Sequence, residues 1–193
     1  MKKADRELEK QAKNLEKVLR YLGMYDNVPQ DIIEEHLKDT PKRIIKAWGE
    51  FTCDECELDI RTFKNPGFNE IILVKEIPFN SLCLHHFFPF TGLAACAYIA
   101  DKKIIGLSKI PKIVKNFAKR PQYQEKLVHD IANYIERIVE PKGCMVIMEA
   151  RHQCTACRGV ESESKLVTSA IRGCFLEEPE LEMKVLQMIG TLK

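Results

Sequence analysis

After about residue 70 the hydrophobic period of this chain changes twice, and few folds accommodate the result. Two strand-like runs come first, "IILVKEIPF" and "GLAACAYIA", the second bounded by Gly92 and by the turn-forming Asp101. Helical spacing follows. Ile110, Ile113, Val114 and Phe117 share one face after Ser108, a residue able to cap, and Leu127, Ile131, Tyr134, Ile135 and Ile138 share another after "KRPQ". The strand-like runs "CMVIMEARH" and "SKLVTSAIRGCF" return, and "PELEMKVLQMI" closes as a short helix. Two long helices between two strand pairs predict an α+β domain with an antiparallel sheet, over residues 68–193, rather than a doubly wound parallel sheet.

The segment before it reads as helical. Leu8, Leu15, Val18, Leu19 and Leu22 recur at helical spacing, with Gly23 where a C-cap would sit, so residues 5–22 predict an amphipathic helix. In "DTPKRIIKAWGEF", Thr40 can cap, Pro41 suits the first helical position, and Ile44, Ile45, Trp48 and Phe51 form one apolar stripe. Pro66 and Gly67 then punctuate the chain, which sets a helical N-terminal region at residues 1–67.

Charge narrows the function. Thirty basic residues stand against 28 acidic ones, a net charge of +2, which gives no bulk attraction to nucleic acid or membrane. The start, "MKKADRELEKQAKNLEK", lacks the apolar core of a signal peptide, and no apolar run reaches the roughly 18 residues needed to span a bilayer. The expected compartment is the cytoplasm. There the eight cysteines (Cys53, Cys56, Cys83, Cys96, Cys144, Cys154, Cys157 and Cys174) read as buried thiols, metal ligands or reactive groups rather than disulfides.

Two clusters concentrate metal-binding side chains. "LCLHHFFPF" carries Cys83, His85 and His86, and "RHQCTACRG" carries His152, Cys154 and Cys157. A catalytic zinc takes three protein ligands and keeps a position for water, whereas a structural zinc is closed by four, for which Cys83, His86, Cys154 and Cys157 would serve. In extended chain, adjacent residues oppose and residues two apart share a face, so His85 and His86 should differ in role, while His152 and Cys154 can enter one pocket as acid/base and ligand. "CDEC" at Cys53–Cys56 has no obvious second pair and reads as incidental. The zinc deaminase signature, a Gly-rich phosphate loop, G-x-S-x-G and His-Glu-x-x-His are all absent. Anion binding falls to Lys109 and Lys112, one turn apart at a predicted helix start, and to Arg158.

Together, "SLCLHHFFPFTG", "IIGLSKIPKIV", "AKRPQYQEKL", "RHQCTACRGV" and "TSAIRGCF", with "DTPKRI" upstream, resemble the GTP cyclohydrolase I family over roughly residues 30–190. The resemblance implies a zinc enzyme that hydrolyses GTP to formate and 7,8-dihydroneopterin triphosphate, the first step of folate and pterin biosynthesis, with no redox cofactor. It implies Cys83, His86 and Cys154 as zinc ligands, leaving Cys157 outside, and His85 and His152 as proton-transfer groups. Glu125, with Gln124 beside it, matches the position that grips the guanine edge. Ser108, Lys109, Arg158 and Arg43 match positions that hold the ribose-triphosphate tail, with Ser108 also in reach of the chemistry. The implied fold is the tunnelling fold, and the implied assembly is a homodecamer of two pentameric rings with active sites between subunits.

Two positions and one segment depart from the family pattern, the segment being "ESESKL", where a Ser/Thr-rich approach to the last strand is more usual. Leu84 stands where Glu is usual, and Lys112, which would also face the phosphates, stands where Arg is common. Two other readings remain: a same-fold enzyme processing a deazaguanine nitrile through a nucleophilic cysteine, and a non-catalytic protein with a four-ligand structural zinc.

Overall fold

The computed structural model describes residues 3–52 and 58–190. Cys53 and Cys56 lie outside the described residues. The chain forms two compact units, Met1–Thr52 and Cys53–Lys193.

The first unit is helical. Helix α1 (Lys3–Tyr21) ends as its sequence predicts: Gly23 takes φ +69, and the Met24 amide donates to the Leu19 carbonyl. Helix α2 (Gln30–Ile32) runs into a π-helical turn (Ile33–Leu37), and α3 (Thr40–Glu50) follows. Lys42 Nζ on α3 lies 2.7 Å from a Glu9 carboxylate oxygen on α1. The stripe on α3 is only partly covered, with Trp48 45% exposed. Asp39 holds the N-cap position of α3, and no side chain caps it.

In the second unit, β1 (Thr62–Lys64) leads to β2 (Ile71–Cys83), β3 (Pro89–Ile99) and β4 (Lys103–Ile105). Next come α4 (Lys109–Ala118), β5 (Pro121–Gln122) and α5 (Gln124–Val139). Then β6 (Gly143–His152), α6 (Gln153–Ala156), β7 (Lys165–Gly173), α7 (Cys174–Glu177) and α8 (Pro179–Gly190) complete the chain. Because β1 pairs with β4, the residues just before Pro66 already belong with the sheet-bearing unit. The main sheet runs β5-β2-β3-β6-β7, antiparallel except for the short parallel contact of β2 with β5. The strand, strand, helix, helix, strand, strand order of the sequence is therefore present, with short elements between.

Strand β3 explains its own composition. Helices α4 and α5 cover one face of the sheet, and α7 and α8 pack on the other. Ala94, Cys96 and Tyr98 enter the first core; Ala97 and Ile99 enter the second. A strand buried on both faces has no polar side, hence the unbroken run "AACAYIA". Gly92 lies inside this strand rather than bounding it, and the close approach of β6 calls for glycine there: a Cβ would sit 1.9 Å from the Glu149 carbonyl oxygen. Cys96 and Cys144 are core residues; burial pushes both thiols up, Cys144 to about 12.

This topology orients the chemistry. Strands β2 and β6 are both antiparallel to β3, which lies between them, so both run toward the same sheet edge. Their last residues, Cys83 and His152, arrive there together. Strand β5 is parallel to β2, with Cys83 opposite Gln122, so α5 starts at that edge as well. Phe90, fully buried, stands opposite His152 and packs edge-on to Phe79 at 6.1 Å. Phe90→Ala is expected to cost about 3–5 kcal/mol in denaturant unfolding, from lost burial and an incompletely collapsed cavity.

Candidate active site

A cavity of about 400 Å³ opens at this edge. Its lining includes Cys83, His85, His86, Gln124, Glu125, His152 and Cys154. Seven residues singled out in the sequence, from three separate segments, thus share one space. Gln122, Tyr123, Thr155, Ser164, Lys165 and Leu166 line it as well. Sequence reading gave none of these six a role, although Gln122 and Tyr123 sit beside Gln124 in "RPQYQE", and Ser164, Lys165 and Leu166 end the segment "ESESKL" that leads into β7, the strand paired with β6.

Turn geometry presents the first cluster. The Phe87 amide donates to the Cys83 carbonyl and the Cys83 amide to the Phe88 carbonyl, both at 2.8 Å, closing the loop from β2 to β3. Phe87 is held at φ +56, a conformation that costs a bulky residue about 1–3 kcal/mol and is tolerated when the surroundings fix it. The loop carries His85 and His86 outside regular strand. The alternation expected of extended chain therefore does not separate them, and both line the cavity. His85 Nδ1 lies 3.8 Å from Cys83 Sγ, and its ring meets Tyr123 edge-on at 5.0 Å. The His86 ring lies 6.0 Å from that of His85.

In the second cluster the strand likewise ends at His152, and Cys154 sits in the single turn of α6. The Cys154 and Cys83 sulfurs are 3.8 Å apart. Two thiolates about 2.3 Å from a tetrahedral metal ion lie about 3.8 Å apart, so the pair already has the spacing of two ligands. Among the described residues, the donor atoms of Cys83, His152 and Cys154 fall within 4.8 Å of one another and can hold a metal ion. Cys157 is not in that group; it is exposed, and its thiol is 2.8 Å from the Gln153 carbonyl oxygen. His86, the third ligand implied by the resemblance, lines the cavity outside the group.

Electrostatics separate these groups. Burial, then the adjacent Cys83 thiol, pushes the Cys154 thiol above its ordinary value, with Arg158 opposing. Cation uptake must therefore expel protons, and it weakens as pH falls. Burial lowers the basicity of His152, and the Glu125 carboxylate opposes that effect. The His152 ring stacks on Phe90 at 4.5 Å and 2°. Its Nε2 lies 3.0 Å from Gln124 Oε1.

The expected anion-binding residues stand elsewhere. Ser108, Lys109, Lys112 and Arg158 are not in the cavity lining, and Arg43 belongs to α3 of the first unit. Ser108 holds the N-cap position of α4 without bonding to it through its side chain, so its hydroxyl is not committed there. Lys109 Nζ donates to the Asp59 carbonyl at 3.0 Å. Leu84 is 39% exposed on the turn. Among the described residues no helix is long and apolar enough to cross a membrane.

Comparison with known proteins gives a consistent result. The family model described as GTP cyclohydrolase I matches residues 13–190. A GTP cyclohydrolase 1 from Sulfurihydrogenibium sp. is 45% identical over 170 residues, covering 87% of this chain and 90% of the relative. One from Aquifex aeolicus is 43% identical over 177 residues, covering 90% and 96%. A third, from Hydrogenobaculum sp., is 40% identical over 177 residues, covering 90% and 97%.

Proposed function

Since the chain belongs to the GTP cyclohydrolase I family, we propose that it hydrolyses GTP to formate and 7,8-dihydroneopterin triphosphate at a zinc ion held by Cys83, Cys154 and His86. The observation that carries this reading is the thiol pair, 3.8 Å apart, at the wall of a cavity shared with two histidines of the same turn, His152 and Glu125. Two thiolates and one imidazole suit zinc, and three protein donors leave one position open. Bound zinc supplies Lewis-acid activation of the attacking water.

The remaining work belongs to the side chains. Glu125, exposed at the first turn of α5, accepts the 2-amino and ring N–H groups of guanine as a pair. His152 moves a proton to N7 as water adds at C8, which makes that carbon electrophilic enough to be attacked. The imidazole ring opens, and hydrolysis of the resulting formamide releases formate. His85 and Ser108 then carry protons while the ribose opens, rearranges and recloses as the dihydropterin ring.

The triphosphate tail needs cations. Among the described residues lining the cavity Lys165 is the one Lys or Arg, and its Nζ is 2.6 Å from a Glu149 carboxylate oxygen. This supports completion of the site between subunits, with Ser108, Lys109, Lys112, Arg158 and Arg43 holding ribose and phosphates in a decamer of two pentamers. The β2-β3-α4-α5-β6-β7 core suits the tunnelling fold. Phe87 and Phe88, 48% and 37% exposed, suit burial by a neighbouring subunit. The compartment is the cytoplasm.

The test is to incubate metal-analysed protein with GTP and follow formate together with the fluorescence of the oxidised pterin. Equal molar yields are expected; no turnover by fully zinc-loaded, assembled protein would contradict the assignment.

A further inference from the structure

We infer that Gln124 is a positioning residue for His152, and that it leaves Nδ1 as the imidazole atom that accepts and delivers protons. The inference rests on the GTP hydrolysis reading above and refines one part of it. In sequence, Gln124 stands beside Glu125 as a candidate guanine contact. In the fold it is fully buried, and its side chain is engaged on all sides.

The orientation of its amide follows from its surroundings. Nε2 lies 3.1 Å from the Met148 carbonyl oxygen, 3.0 Å from that of Leu166 and 3.1 Å from Thr168 Oγ1. Two main-chain carbonyls can only accept, so the NH2 group must face them; the reversed amide would set Oε1 against two oxygens. Both amide hydrogens are then committed to β6 and β7, and neither is free for a purine.

Oε1 is thereby aimed at His152 Nε2, 3.0 Å away. An amide oxygen only accepts, so Nε2 must carry the hydrogen, and the lone pair of the neutral ring lies on Nδ1. The stack on Phe90, at 4.5 Å and 2°, fixes the plane of the same ring. One contact sets the plane and the other sets rotation within it. Both are compatible with neutral and cationic imidazole, because Nε2–H is present in either form. The ring can gain and lose a proton at Nδ1 without breaking its support, which is what repeated proton transfer in one turnover requires.

The test compares Gln124→Met, similar in shape but unable to make these bonds, with the wild-type enzyme. Expected are a kcat reduced about 100-fold, a KM for GTP within about twofold, and unchanged zinc stoichiometry. A KM raised tenfold or more with kcat intact would make Gln124 a substrate contact, and unchanged kcat and KM would make it packing alone; either overturns the inference. Should the variant not fold, neutron diffraction from deuterated wild-type crystals decides: deuterium on His152 Nε2 facing Gln124 supports the inference, and its absence overturns it. Wild-type protein that fails to turn over GTP would instead sink the functional reading, and the neutron result would still stand.

Discussion

Cys154→Ala is expected to strip the metal and abolish turnover. In the proposed site the side chain supplies one of two thiolates among three protein donors, and both sulfurs are already at ligand spacing. Structural zinc sites in small peptides bind with about 10–16 kcal/mol, and one donor in three on that scale corresponds to a loss of roughly 10³-fold in affinity. Zinc per chain, measured after dialysis against a mild chelator, reads this out. Cys157→Ala is the control. Its thiol lies against the Gln153 carbonyl and outside the donor group, so that variant should retain zinc. Loss of zinc from Cys157→Ala would favour a closed four-ligand site and a structural role. The wild-type site should also load less well as pH falls, because the Cys154 thiol is pushed above its ordinary value by burial and by Cys83.

His152→Ala is expected to separate metal binding from chemistry. Zinc should stay at wild-type stoichiometry while formate release falls by about 10²–10⁴-fold, the usual contribution of a positioned acid or base. His86→Ala should show the reverse pattern, losing the metal. The pair is informative because His152 lies within 4.8 Å of both thiol sulfurs whereas His86 is outside that group. Two arguments favour His152 as the proton carrier: its Nε2 is already engaged by Gln124, and its ring is fixed against Phe90. Zinc lost from His152→Ala and kept by His86→Ala would exchange the two roles.

Much of the fold was legible because its signals are local. The stripes of α4 and α5 follow from 3.6-residue spacing, and the apolar run of β3 reflects burial on both faces. The residue types of the site were legible too, since clustered Cys and His in a chain with five histidines have few other uses. What could not be read was long-range. That Cys83 and Cys154 meet depends on β2 and β6 both running antiparallel to β3. No spacing along the chain encodes that pairing. The alternation of faces holds only in extended chain, and β2 ends at Cys83 and β6 at His152, which puts His85, His86 and Cys154 beyond the strands. Gln124 and Glu125 look alike as polar residues opening a helix, yet one is fully buried and the other exposed, a difference set by β6 and β7 packing over α5.

One labelled substrate puts the whole account at risk. GTP carrying ¹⁴C at guanine C8, turned over by metal-analysed protein, should yield all of its released label as formate, one for each pterin formed. Removing zinc should stop the release and restoring it should bring it back. Label retained in the nucleotide by the zinc-loaded, assembled protein, or formate released equally well without metal, would contradict it.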